Sequence, residues 1–178
     1  MTKCPHGAAR SNPRGREDGM TTISVDQLDG FFRETGEFTV TIPALAQPTL
    51  AELSKFRIRK IERDTSPIEA VTLKLGTVLL PDEDRIGGGE YERRIASKFA
   101  ICLGYQHACW LVEHQGEFPE FMALLRKVYI DFLGLIVVYA YGDRHVPYLY
   151  QDGKRWYLGW GWADDALHRA GRVAVSGK

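Results

Sequence analysis

The sequence predicts an α+β domain, with helices packed on an antiparallel sheet. Three observations carry that reading. Apolar and polar residues alternate at 38–42, 56–61 and 71–80. A long helical pattern occupies residues 90–115, followed by a second from Phe118 to about Lys127. From Val128 onward the pattern changes to strands and turns, so a C-terminal β-meander closes the chain.

Each element has a local reason. Residues 1–20 carry Lys3, Arg10, Arg14 and Arg16 among prolines and glycines, the composition of a disordered basic tail. Residues 21–178 then form one domain. Ser24-Val25-Asp26-Gln27 has capping-box spacing, and Leu28, Phe31 and Phe32 follow on one face of a short helix to about Glu34. Phe38 to Ile42 alternates as a strand that Pro43 ends. Thr49 and Glu52 repeat the capping-box pattern and open another short helix. Phe56 to Ile61 mixes apolar residues with Arg and Lys, which suits an edge strand. Asp64-Thr65-Ser66-Pro67 reads as a turn. A strand follows from Val71 to Leu80, then a loop from Pro81 to Gly89. Gly104 is the predicted break in the main helical region, and Pro119 suits the first turn of the next helix.

Composition excludes several classes. Lys and Arg total 23, and so do Asp and Glu, leaving no basic excess for nucleic acid or anionic membrane. Hydrophobic residues make up 44%, which is globular material rather than a disordered chain. No apolar run approaches the about 18 residues of a membrane span. The N-terminus lacks the apolar stretch of a secretory signal, so a cytoplasmic location is the default expectation. Three cysteines, Cys4, Cys102 and Cys109, do not make a disulfide framework and read as reduced thiols.

Chemical signatures are sparse. Cys102, His107, Cys109 and His114 resemble a metal set in one dimension. On a single straight helix the cysteines share one face and the histidines another, so one ion cannot reach both. The cysteines then read as buried structural residues. Gly87-Gly88-Gly89 is not followed by Lys-Ser/Thr, so it is a connector and no phosphate loop. Asp131, between Ile130 and Phe132, is a partly buried carboxylate with no evident partner. No nucleophile elbow, zinc-protease motif or convincing triad is present. The expectation is therefore a protein that is not an enzyme and holds no cofactor or metal.

The informative feature is aromatic clustering. Ten aromatic residues fall between Tyr129 and Trp162. Gly142-Asp143 and Asp152-Gly153 are hairpin signals. With a two-residue loop at each, Tyr141 faces Arg144, Val137 faces Tyr148, and Tyr148 faces Tyr157. One sheet face then collects Ile136, Val138, Ala140, Pro147, Leu149, Trp156, Leu158 and Trp160 as core, with Trp162 beyond. The other collects Val137, Tyr139, Tyr141, Arg144, Val146, Tyr148, Tyr150, Arg155, Tyr157, Gly159 and Gly161. Tyrosine tolerates water yet offers rigid contact area, which is why binding surfaces use it. Gly159 and Gly161 would open shallow pockets beside the rings.

The segment Arg155-Trp156-Tyr157-Leu158-Gly159-Trp160-Gly161-Trp162, then Asp164-Asp165-Ala166-Leu167-His168-Arg169-Ala170 and the closing residues 171–178, resembles the C-terminal variable region of target proteins of diversity-generating retroelements. In that family template adenines are randomised, so codons of the AAC or AAT form scatter to Tyr, Asp, His, Ser, Gly, Arg or Ala, and cannot yield Trp, Lys, Gln or Glu. The resemblance implies a variable binding region at about 135–172. Its variable positions would be Tyr141, Asp143, His145, Tyr148, Tyr150, Asp152, Tyr157, Gly159, Gly161, Asp165 and His168, with Trp156, Trp160, Trp162, Gln151 and Lys154 as scaffold. It also implies a C-type-lectin-like fold and a ligand-binding role. His145 departs from the pattern, because the register puts it on the core face.

The leading expectation is thus a non-enzymatic binding protein for a protein or glycan. Its contact surface would be Tyr139, Tyr141, Asp143, Arg144, His145, Tyr148, Tyr150, Asp152, Arg155, Tyr157, Gly159, Gly161, Asp165 and His168. Arg144 and Arg155 would supply charge-assisted hydrogen bonds. The alternative is a structural or regulatory α+β domain that uses the aromatic face to form a homo-oligomer. Stacking on single-stranded nucleic acid is a third reading, which the zero net charge disfavours.

Overall fold

The computed structural model describes residues 40–177. The tail over 1–20, the helix over 24–34 and the start of the strand at Phe38 lie outside the described residues. Within them the chain is a mixed α+β structure built on an eight-stranded, mostly antiparallel sheet.

The strands of that sheet are β1 (Thr41–Ile42), β2 (Ile58–Asp64), β3 (Val71–Gly76), β5 (Tyr129–Asp131), β6 (Leu135–Tyr139), β7 (Arg144–Asp152), β8 (Arg155–Trp162) and β10 (Gly171–Gly177). They run in the order β1-β3-β10-β5-β7-β6-β2, and β8 also pairs with β7. A separate two-stranded ribbon joins β4 (Arg85–Ile86) to β9 (Leu167–His168). The helices are α1 (Leu50–Leu53), α2 (Gly88–Lys98), α3 (Tyr105–His114) and α4 (Pro119–Met122). No described helix is long and apolar enough to cross a membrane.

β7 organises the sheet. Its Tyr148 and Leu149 pair with β5, and its Arg144 and His145 pair with β6. Its other edge pairs with β8 from His145 to Asp152. A strand has two edges, so β5 and β6 lie end to end along one of them. The chain leaves the ladder between them, where Gly134 donates its N–H to Leu103 O at 3.0 Å. A Cβ there would sit 2.4 Å from Cys102 O, so only glycine fits. Beyond the break the sheet forks, β5 continuing to β10 in parallel and β6 to β2.

The sheet is covered on both faces. α3 packs Tyr105, Ala108, Leu111 and Val112 into one core with Leu149, Trp156, Leu158, Val137 and Ile130. α2 packs Tyr91 and Ile95 into a second core with Ile136, Val146, Val173, Val175 and Leu167. The single core face expected from the sequence is therefore half of the arrangement.

Most elements fall where local chemistry puts them. The Thr49–Glu52 capping box forms at α1. β2 is an edge strand, although it begins at Ile58 because a 3₁₀ turn at Ser54–Phe56 ends on Arg57 at φ 66°. The strand predicted to Leu80 stops at Gly76. The helical region breaks at 99–104, and this removes Cys102 from any helix. Cys102 bridges Val175 in the second core, while Cys109 sits half-buried against the first. Burial pushes the Cys102 thiol up to about 11. Gly87-Gly88-Gly89 is not a plain connector. Gly87 caps α2, and a Cβ on Gly88 would lie 2.4 Å from the Asp164 backbone. The final predicted helix is a single turn at α4, after which i→i+3 turns carry the chain past Arg126, at φ 67°, to β5.

Candidate functional site

Both hairpins differ from the two-residue loops placed by composition. In the first, Gly142 donates to Tyr139 O at 3.0 Å, and Tyr139 donates to Asp143 O at 2.9 Å. Ala140 leaves the ladder and donates to Arg57 O at 3.1 Å. Gly142 takes φ 94°. Val137 therefore pairs with His145 rather than Tyr148. The shift is odd in residues, so every β6 side chain changes face. In the second, the loop is Gly153-Lys154, with Gly153 alone at positive φ, as in a type II′ turn. Tyr150 pairs with Tyr157, and Tyr148 with Gly159. That shift is even, so the β7 and β8 faces are as expected.

The consequence is a smaller tyrosine surface than the five rings predicted. Tyr139 turns to the α3 side, where its ring lies 4.2 Å from His145 and 6.4 Å from Trp160. Burial pushes its phenol up to about 12. Tyr141 stands 85% exposed at the hairpin tip, beside half-buried Asp143. His145 is buried between Tyr139 and Trp162, as its core-face position implied, and burial lowers its pKa.

On the opposite face Tyr148, Tyr150 and Tyr157 form a ladder across β7 and β8. Ring centroids are 5.3 Å apart for Tyr148–Tyr150 and 6.2 Å for Tyr150–Tyr157. Tyr150 and Tyr157 are half-buried, and Tyr148 is buried. The glycine spaces are filled rather than open. A Cβ on Gly159 would lie 2.8 Å from Tyr148 Cε1, and one on Gly161 would lie 3.4 Å from Tyr148 Cδ1. Tyr148 thus lies flat over both glycines. Exposed Asp152 and Arg155 continue the row toward the second hairpin.

Arg144 does not offer its charge to a ligand. Its guanidinium lies 2.9 Å from Glu62, 3.2 Å from Glu92 and 2.8 Å from Asp164. The hydrogen bonds to Glu62 hold Arg144 protonated and hold the Glu62 carboxyl below its usual range. This cluster ties β2, α2 and the loop after β8 together.

Beyond Tyr148 the same face dips into a small cleft. Its walls include Tyr91 from α2, Tyr129 and Asp131 from β5, Tyr148, Trp162 and Asp165. Tyr91 Oη donates to Asp131 Oδ2 at 3.1 Å, and His168 N–H donates to Tyr129 Oη at 3.1 Å. Asp165 Oδ1 accepts from Ala166 N–H at 2.8 Å. Desolvation, with the Asp131 charge beside it, keeps Tyr91 protonated. Of the residues named from sequence, Tyr148, Gly161 and Asp165 line this cleft. His168 is exposed on β9, outside it.

Tyr91, Tyr129 and Trp162 were not named as site residues. Tyr91 has no local signal, since only tertiary packing brings α2 over β5. Asp131 was visible as a carboxylate between apolar neighbours, and Tyr91 is a partner no sequence pattern could supply. Among the described residues no three His, Cys, Asp or Glu side chains converge as a metal site. No family model, curated protein or solved structure matches the chain.

Proposed function

We propose that this chain is a non-enzymatic ligand-binding protein whose C-terminal sheet contacts a protein or glycan through Tyr150 and Tyr157, with buried Tyr148 packed behind them. The supporting observation is that the half-buried Tyr150 and Tyr157 rings lie side by side on the sheet face, and buried Tyr148 backs them and continues the row to the cleft. Amphipathic rings at a concave edge supply contact area at low entropic cost. Arg155 is the cation at this surface, since Arg144 is committed to three carboxylates.

A displayed-peptide library and a glycan array, each probed with wild type and Tyr150→Ala/Tyr157→Ala, test the proposal. Capture that the double variant weakens at least about tenfold is the expected result. Equal capture by both proteins, or none by either, would overturn it. Size-exclusion chromatography of the same pair addresses the oligomer alternative. A wild-type oligomer that the variant converts to a monomer would make the ladder a self-interface.

The narrower form of the proposal is a retroelement target protein with a C-type-lectin-like fold. Its support is that reachable codon types at Tyr148, Tyr150, Tyr157, Gly159 and Gly161 lie together on the ladder face. A neighbouring reverse-transcriptase gene, and a near-copy of the 3′ end differing only at adenines, are the expected genomic findings. Absence of both would remove this form and leave the binding proposal standing.

A further inference from the structure

We infer that the hairpin end of the tyrosine ladder is a subsite for an uncharged pyranose, one sugar ring of a neutral glycan. This narrows the proposed binding role to one class of ligand and rests on it. The second hairpin builds the subsite. Tyr150 stands opposite Tyr157, and the next pair toward the turn on the same face is Asp152 opposite Arg155. The two rings are half-buried, and Asp152 and Arg155 are exposed. Buried Tyr148 packs behind Tyr150 with ring centroids 5.3 Å apart. Tyr150 Cε1 lies 3.1 Å from the place a Cβ would take on Gly159, so this ring leans across β8. It meets Tyr157 at a centroid distance of 6.2 Å.

Charge complementarity selects the ligand. Asp152 and Arg155 form no ion pair with each other or with any other described residue, and neither phenol hydroxyl is buried or hydrogen-bonded to one. A carboxylate only accepts and a guanidinium only donates. The two stand side by side, so a charged ligand group satisfies one and meets the like charge of the other. An apolar side chain satisfies neither. A trans peptide unit points its N–H and C=O in opposite directions, so it cannot face both at once. Two neighbouring hydroxyls of a sugar ring leave from one edge. One donates to Asp152 while the other accepts from Arg155, and the ligand carries no net charge. The C–H face of the same ring is apolar and lies on the tyrosine rings, where it gains contact area. The Tyr150 and Tyr157 hydroxyls then reach further oxygens at the rim, as donors or acceptors.

An array of immobilised gluco-, manno- and galacto-oligosaccharides, with uronate, sialylated and amino-sugar glycans beside them, tests this on the full chain. Capture is expected on neutral oligosaccharides, at least tenfold above that on the charged ones. Asp152→Ala and Arg155→Ala should each weaken neutral capture at least about tenfold, the worth of a hydrogen bond to a charged group. Both side chains are exposed beside a turn, so these variants keep the fold. Lys154→Ala, in the turn itself, should leave capture unchanged. Equal or stronger capture on the charged glycans, unchanged neutral capture in Asp152→Ala and Arg155→Ala, or no glycan capture at all would overturn the inference. Displayed peptides held through Tyr150 and Tyr157, with no glycan held, would sink the sugar subsite and leave the binding role. Neutral capture that needs Asp152 and Arg155 yet survives Tyr150→Ala/Tyr157→Ala would do the opposite, keeping the charged pair as a sugar contact and removing the tyrosines.

Discussion

Two glycines two residues apart on β8's ladder face meet the same ring at different distances. At Gly159 an added Cβ would reach Tyr148 Cε1 at 2.8 Å and Tyr150 Cε1 at 3.1 Å. At Gly161 the nearest atom is 3.4 Å away, an ordinary contact. Tyr148 is only 4% exposed, so it has little room to move. Gly159→Ala should therefore cost about 1–3 kcal/mol of overpacking. Gly161→Ala should be close to neutral, since strand alanine is favoured over glycine. Urea midpoints of the two variants check the contrast, and equal midpoints would contradict the ring placement. The same contact explains why the sequence misread these glycines. Missing side chains read as empty space, whereas here a neighbouring tyrosine occupies it.

At the level of elements, β8 has one edge on β7 and the other turned away from it. The Gln115 amide covers part of that second edge. Its Oε1 accepts from Trp156 N–H at 2.8 Å, and its Nε2 donates to Trp156 O at 3.3 Å and to Val112 O at 2.7 Å. Gln115 is thus a one-residue substitute for a pairing strand, supplied by the turn after α3. Gln115→Leu would leave the buried Trp156 N–H without its acceptor, at a cost of about 1–3 kcal/mol. Faster amide exchange at Trp156, with smaller change at Leu149 in the sheet interior, is the expected signature. Unchanged exchange would mean that the amide is not the edge's cover. The strands β2 and β3, the capping box at Thr49 and the break near Gly104 were legible in the sequence because each has a local cause, whereas β4 and the start of α2 fall inside the loop expected over Pro81 to Gly89, since β4 forms only by pairing with β9. Face assignment in the meander was legible only where the register error was even. The first hairpin was misread because Ala140 pairs with Arg57, more than 80 residues away in sequence, and no dipeptide signal encodes that contact. The cleft was illegible for the same reason, as α2 supplies Tyr91 from another part of the chain.

Across the whole molecule, buried histidines and paired carboxylates set opposite ends of one acid response. His107 is fully buried, and its Nδ1 accepts the Gly104 N–H at 3.1 Å to cap α3. Its Nε2 has no hydrogen-bond partner among the described residues. Protonation would destroy the cap and bury a charge, so burial lowers its pKa to about 4 from the ordinary 6.5. Burial lowers His145 as well. Between pH 6.5 and about 4 the unfolded chain takes up the His107 proton and the folded chain does not, so stability falls with pH through that window. For His107 alone the loss is about 3 kcal/mol. Glu62 and Glu83 act lower. Hydrogen bonds from Arg144 hold Glu62 below 4.5. Burial raises Glu83, but bonds from Arg94 and the Leu80 N–H outweigh it. Their contribution is present above the ordinary carboxylate value and is lost as pH falls through the lowered folded values. Urea unfolding from pH 7 to 3 should therefore show two segments. His107→Gln should flatten the segment between pH 6.5 and 4, with His145 supplying what slope remains. Arg144→Met should leave that segment intact and shrink the fall below pH 4.5. A His107→Gln variant with the wild-type slope between pH 6.5 and 4 would show that the buried imidazole does not drive the response.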